Sequence, residues 1–340
     1  MRQQRGALRT TTSAAIRGED GTRTIEMPIP DAAAGELLVR IDLATLCGRD
    51  RRGAPGTAHV PGHEGVGRVV AAGHGAPAQV GDRVVWSPAV GCRRCDRCRD
   101  GRPTACRRPR RVGREPWSGP WSLSGTFAAH LLLPAGAAVA HVPGELCDAV
   151  AAPAGCATAT AMAALDTAGD VAGRRVLVVG AGMLGLTLAA ACRVLGASDA
   201  TIVDPDAARR SLATAFGATA VRAPDDALDE VDLAFACAGA DAAQAALPAL
   251  AHAGRLVLVG DARPDEVLAV PTALLARRRL SFAGVHDGEP EHLAAALDFL
   301  LRTRGRFPWE RLAAPAFGLD ALPMLLAQPP MLAPRQAIAP

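Results

Sequence analysis

The sequence predicts an α/β protein in two parts: an irregular, mostly β domain followed by a doubly wound parallel sheet. Three observations carry this. Up to residue 153 the chain is short apolar runs cut by glycine and proline. From residue 154 the texture changes to strands alternating with alanine-rich helices, which builds a parallel sheet. At the first of those strands a glycine-spaced turn, Gly180-Ala-Gly-Met-Leu-Gly185, opens a helix. A chain of 340 residues is long enough for two such cores.

In chain order, the stretch 1–17 is rich in arginine and threonine without an apolar centre, so it reads as a frayed extension and not a secretory signal. Apolar runs at 36–43, 65–72 and 83–86 read as strands of the first domain, spanning 1–153. Strands at 175–179, 200–203, 231–236 and 255–259, with helices at 183–195, 206–216 and 241–250, form the second domain, 154–288. A C-terminal segment, 289–340, holds one helix at 292–302 and proline-rich pieces that return to the first domain. The most apolar run, 176–192, contains three glycines and ends at Arg193, so a buried strand–turn–helix explains it better than a membrane span.

Composition narrows the function classes. Hydrophobic residues make up 49 % and charged residues 21 %, ordinary for a soluble globular chain. A net charge of +3 is too small to argue for nucleic acid or a membrane surface, leaving a small molecule as the expected partner. With a cytoplasmic location expected, nine cysteines point to metal or catalysis before disulfides.

The turn after strand 175–179 has the chemistry of a dinucleotide site. Gly180 allows the tight turn, Gly182 lets the backbone approach a pyrophosphate, and Gly185 permits close helix–strand packing. Met183 and Leu184 open the helix, whose N-terminus attracts phosphate charge. The next strand ends in Asp204, placed to take both ribose hydroxyls and to repel a 2′-phosphate, so NAD is favoured. Arg209 lies five residues on and keeps NADP open as the alternative.

Cys92-x2-Cys95-x2-Cys98-x7-Cys106 puts four thiols in one loop, the pattern of a closed structural zinc site. Four thiolates around zinc carry a charge of −2, which Arg93, Arg94, Arg97, Arg99 and Arg107 are expected to offset. A nucleic-acid zinc ribbon would want a second C-x2-C or an aromatic platform, and neither follows. The remaining candidates are dispersed: Cys47 in Leu-Cys-Gly-Arg-Asp, His63 and Glu64 in Pro-Gly-His-Glu-Gly, and Cys156 in Pro-Ala-Gly-Cys-Ala-Thr. Singly, such cysteines are more often buried small hydrophobes. Together, two thiolates and an imidazole form a known three-ligand set for a catalytic zinc with an open position. Cys147, Cys192 and Cys237 match no motif and are expected in the core.

The order of Cys47, Gly62-His63-Glu64, the four-cysteine loop, Cys156 and the glycine turn resembles the zinc-containing medium-chain alcohol dehydrogenases. The resemblance covers the chain after residue 17 and implies a GroES-like catalytic domain, a Rossmann domain and a site in the cleft between them. It implies two zinc ions, one catalytic on Cys47, His63 and Cys156. Glu64 then stands behind the metal or serves as a transient fourth ligand. It further implies that Thr160 touches the nicotinamide face, that Val259 and Gly260 line the carboxamide, that Arg209 reaches the adenosine ribose, and that the protein forms a homodimer or homotetramer. More narrowly, residues 151–160 and 180–186 resemble a branch proposed to act in phosphonate metabolism.

One position departs from the family pattern. Where a serine or threonine usually follows the first zinc cysteine by two residues and relays the alcohol proton, this chain has Arg49, which cannot lose a proton in that role. Either Arg49 meets an anionic group on the substrate, or it turns away to a surface carboxylate such as Asp50. The expected activity is hydride transfer between NAD(H) and a small alcohol, the substrate being anionic in the first case. The alternatives are a polyol, aminocyclitol or sugar dehydrogenase, and a silent family member that only binds nucleotide.

Overall fold

The computed structural model describes residues 10–52, 57–260, 263, 265–328 and 333–340. The chain divides into two compact units, Met1–Val142 with Pro315–Pro329 and Gln336–Pro340, and Pro143–Ala314 with Pro330–Arg335.

The first unit is built on a seven-stranded sheet. Its central strand, Leu37–Leu46, pairs antiparallel with Glu64–Ala72, with His130–Leu133 and with the C-terminal strand Gln336–Ala339. Every strand here is short except the two that carry or adjoin Cys47 and His63. Val39, Trp86, Phe127 and Leu131 pack the core between them at 1 % exposure or less. The stretch read as a frayed extension is corrected here. Thr11–Gly18 is a strand paired with Gly21–Pro28, and its Ala14, Ala15 and Ile16 are buried in the same core. Three apolar residues among threonines and arginines suffice because Ala15 N–H donates to Phe127 O, 2.9 Å, tying the strand to a distant part of the chain. Residues 1–9 lie outside the described residues.

The second unit is a doubly wound sheet with all strands parallel. Its order is Ala220–Arg222, Asp199–Val203, Arg175–Val179, Val231–Ala236, Leu250–Val259, Ser281–Val285. This is the arrangement of two mononucleotide-binding halves that meet beside the first strand. Ahead of the sheet the chain runs through Asp148–Ala151, a π-helical turn at Ala154–Thr158, and the helix Ala159–Ala168. Asp148–Ala168 is the one described helical run long and apolar enough to cross a bilayer, and 83 % of its apolar window is buried. Cys192 is buried as expected, whereas Cys147 is exposed, because it precedes the short helix Asp148–Ala151 at its N-cap.

Candidate active site

The four lobe cysteines come together. The sulfurs of Cys92, Cys95, Cys98 and Cys106 all lie within 4.8 Å of one another. The loop closes around them because Gly91 has no side chain, a Cβ there falling 2.8 Å from the Cys98 sulfur. Backbone N–H groups point at the sulfurs: Cys92 N and Arg108 N reach Cys106 Sγ at 3.2 and 3.3 Å. The backbone N–H groups of Arg107 and Cys98 hold the Cys95 thiol down at about 6, favouring the thiolate a metal needs. Desolvation, with hydrogen bonds from its thiol to the neighbouring cysteines, pushes the Cys98 thiol up to about 12. The donor set and spacing fit a closed zinc site. Of the arginines expected to offset its charge, Arg107 is paired with Asp96 at 2.8 and 2.6 Å, and Arg97 donates to Ala105 O at 3.0 Å.

In the first unit Cys47, His63 and Glu64 also converge, their ligand atoms within 4.8 Å of one another. The sheet register does this. Thr45 faces Glu64 across the central strand pair, so Cys47 follows one strand just where His63 precedes the other. Thr45 Oγ1 donates to Glu64 Oε2 at 2.7 Å, inside the core. Gly62 is required at the turn. Its φ is +91°, and a Cβ would sit 2.5 Å from Thr126 Oγ1 and 2.9 Å from the Phe127 ring.

Asp50 is the residue that sequence reasoning placed wrongly. It is 8 % exposed and not a surface carboxylate. Its Oδ1 lies 2.9 Å from His63 Nδ1 and its Oδ2 accepts the Cys47 N–H at 2.9 Å. Burial works against a charge on His63, but the Asp50 carboxylate outweighs it and holds the metal-free imidazole up at about 9. With Nδ1 engaged by Asp50, Nε2 is the nitrogen left for a metal, the arrangement that orients ligating histidines. The charge of Arg49 opposes the imidazolium, so its positive field reaches this cluster. Arg17 and Arg51 brace the loop: Arg17 donates to the carbonyls of Asp50 and Arg51, and Arg51 to those of Leu325 and Gln328 and to Gln336 Oε1.

In the second unit Cys156 is 8 % exposed within the π-helical turn, a distortion that recurs at functional sites. Thr160 is buried and its hydroxyl donates to Cys156 O at 2.7 Å, fixing the turn that carries the thiol. The glycine turn is formed as expected. Gly180 has φ +108° and Gly182 is the N-cap of Met183–Val194, with Leu184 in the first helical turn. A Cβ on Gly185 would collide with Gly180 O. Asp204 is 5 % exposed, and its two oxygens accept Ala181 N–H at 2.7 Å and Asp206 N–H at 2.9 Å. It therefore also clamps the turn. Arg209 stands in the helix Ala207–Ala215, capped by Asp206, while the neighbouring Arg210 donates to Asp204 O and Pro205 O. Val259 ends its strand and Gly260 follows beside Leu184, a Cβ there meeting Leu184 Cδ1 at 3.3 Å.

Known proteins match this sequence and this fold. The family model for the alcohol dehydrogenase GroES-like domain matches residues 33–144, and that for zinc-binding dehydrogenases matches 184–302. The L-threonine 3-dehydrogenase of Pectobacterium atrosepticum is 31 % identical over 301 residues, covering 81 % of this chain and 79 % of the relative. A zinc-binding dehydrogenase of Sinorhizobium meliloti 1021, solved with NADP, superposes with TM-score 0.87 at 25 % identity over 98 % of this chain and 100 % of that one. An alcohol dehydrogenase of Thermotoga maritima gives TM-score 0.88 at 22 % identity, over 97 % and 99 % of the two chains. The chain belongs to the zinc-containing medium-chain alcohol dehydrogenase family. It is an oxidoreductase acting on alcohols.

Proposed function

We propose that the chain uses NAD to interconvert a small hydroxy compound and its carbonyl, and that an anionic group on the substrate meets Arg49. The observation that carries the zinc chemistry is the Cys47–His63–Glu64 cluster with Asp50 behind the imidazole. Cys47, His63 and Cys156 hold the catalytic ion, with Glu64 aimed by Thr45, and the four lobe cysteines hold a second. Zinc bound at the first set supplies a Lewis acid that lowers the pKa of the substrate oxygen. Asp50 keeps the His63 tautomer fixed, and the Gly180–Gly185 turn seats the pyrophosphate at a helix N-terminus. Thr160, Val259 and Gly260 hold the nicotinamide end.

Support for NAD comes from Asp204. A buried carboxylate at the end of its strand repels a 2′-phosphate, and Arg210 is already committed to backbone carbonyls. The Sinorhizobium relative was solved with NADP, the cofactor that Asp204 would disfavour here. Asp204→Ser should raise the NADP-to-NAD efficiency ratio, and should also weaken NADH binding because the Ala181 N–H loses its partner. Wild-type kinetics favouring NADP would overturn the assignment.

Two observations support an anionic substrate. Arg49 stands two residues from Cys47 with its charge opposing the His63 imidazolium, and a relative's named substrate, L-threonine, is a small hydroxy compound with a carboxylate. A carboxylate or phosphonate can accept two parallel N–H bonds from a guanidinium. Comparing kcat/KM for a phosphonoaldehyde and a neutral aldehyde of equal length tests this. The charged contact should favour the first by roughly 2–3 kcal/mol, about a hundredfold, and Arg49→Ser should abolish the advantage. Equal efficiency in the wild type would rule it out.

A further inference from the structure

Oxidising an alcohol frees a proton as well as a hydride, and Arg49 cannot take that proton. We propose that His286, backed by the buried Asp287 carboxylate, is the proton acceptor. The inference rests on the dehydrogenase reading above.

Placement comes first. Ligands of a doubly wound sheet bind at the carboxyl ends of its strands. Asp204 ends a strand of one half, so the half formed by Val231–Ala236, Leu250–Val259 and Ser281–Val285 serves the nicotinamide. Ser281–Val285 is the last of these, and its Val285 O accepts the Gly260 N–H at 2.9 Å. Gly260 in turn lies against Leu184 of the glycine turn. His286 and Asp287 are the next two residues along that edge. Gly288 then presses on the helix that follows Cys156, a Cβ there falling 2.7 Å from Ala159 O and 2.8 Å from its carbonyl carbon. The loop is therefore seated one residue from Thr160.

The chemistry follows from how the pair is held. Asp287 has φ +62°, a left-handed conformation that costs a non-glycine residue energy and recurs at functional sites. Its side chain is 3 % exposed, and Oδ2 lies 3.4 Å from His286 Nε2, whose ring is 40 % exposed. The buried carboxylate lies against one side of the ring, while the exposed side of the ring faces water. Asp204, Glu266 and Cys237, near the same edge, are less suited to the role. Asp204 accepts two backbone N–H bonds, Glu266 accepts Ala240 N–H at 2.9 Å, and burial pushes the Cys237 thiol up to about 12.

In the oxidative direction the alcohol O–H bond breaks and its proton forms an N–H bond on His286. The carbinol C–H bond breaks with its electron pair, the hydride passes to the oxidised dinucleotide, and the C–O single bond becomes a carbonyl. The imidazolium then gives its proton to water. Asp287 is the positioning residue.

Two measurements test this. Diethyl pyrocarbonate, with the modified peptides located by mass spectrometry, should label His286 in the metal-loaded protein and label it far less once NADH is saturating. The exposed His74, His141 and His252 should react equally in both states. In kinetics on L-threonine, a hydroxyalkylphosphonate and a simple primary alcohol, His286→Gln should lower kcat by about a hundredfold. KM and NADH affinity should stay near wild type, and added imidazole should restore part of the rate in His286→Ala. Asp287→Asn should lower kcat less, also without changing NADH affinity. A protein that binds no NADH overturns the dehydrogenase reading and this inference with it. One that binds NADH but leaves His286 equally reactive, or keeps its kcat in His286→Gln, overturns the inference alone. Where no alcohol of the panel turns over, the shielding result decides.

Discussion

In the lobe, all four thiols come from residues 92–106, held by two short helical turns, Asp96–Arg99 and Pro103–Ala105, with little apolar packing of their own. Cys47 and His63 instead sit at the ends of two long paired strands whose core is complete without them. Their supporting groups, Asp50 and Thr45, are buried and already hydrogen-bonded to them or to Glu64. The lobe therefore needs its metal to have a shape, whereas the Cys47 cluster has its shape before any metal arrives. Removing a ligand should cost folding in the one case and chemistry in the other.

The largest effect expected from this contrast is in the lobe. Cys106→Ser removes a buried sulfur that accepts two backbone N–H groups. Zinc at such a site is worth on the order of 10 kcal/mol of folding free energy. The variant should carry one zinc per chain in place of two and melt many degrees lower. Retention of two zinc ions with an unchanged Tm would remove the structural role of the lobe.

Next in size is Asp50→Asn. Supporting carboxylates of this kind are worth about 10–100-fold in metal affinity, so zinc at the Cys47 cluster should weaken by that factor while lobe zinc and Tm stay close to wild type. The pH dependence sharpens the test. His63 is raised from 6.5 to about 9 in the metal-free protein, with burial opposing and Asp50 causing the rise. The pair's contribution to stability is thus complete below pH 6.5 and is lost as pH climbs through about 9. Zinc must displace that proton along with those of the Cys47 and Cys156 thiols, so its uptake should strengthen with pH, and in Asp50→Asn the part of the rise owed to the imidazole should move to lower pH. Chelator competition across this range, showing the same profile in both proteins, would separate His63 from Asp50.

The same contrast explains what could be read in the chain. The lobe and the glycine turn are local: their spacing states their geometry, and both formed as the spacing predicts. Cys47, His63 and Cys156 gained meaning only as an ordered set, because each alone reads as an ordinary buried residue. Asp50 was misplaced because its partner stands thirteen residues away on another element, and a carboxylate among arginines reads as surface. Thr11–Gly18 was missed because its burial is created by Phe127 and His59, far along the chain. The helix Ala159–Ala168 is buried on most sides, so its alanines show no polar face to count.

The smallest effect concerns the arginines around the lobe, expected to neutralise its charge. Arg107→Ala should leave lobe zinc and Tm unchanged within measurement. Its guanidinium grips Asp96 with good geometry, but the two side chains are 60 % and 56 % exposed. Such pairs are screened by water and salt, and ordering two long side chains offsets most of the attraction. What favours the thiolate at Cys95 is first the backbone N–H of Arg107, and second that of Cys98. Alanine keeps the first of these, so the group that matters survives the substitution. The comparison that sharpens this is Arg51→Ala in the other region. That guanidinium reaches the carbonyls of Leu325 and Gln328 and, at 2.5 Å, Gln336 Oε1, so three partners lose a donor at once. Arg51→Ala should lower Tm measurably where Arg107→Ala does not. Loss of lobe zinc from Arg107→Ala at low ionic strength, recovered at high salt, would instead restore the side-chain charges to the role that the sequence suggests for them.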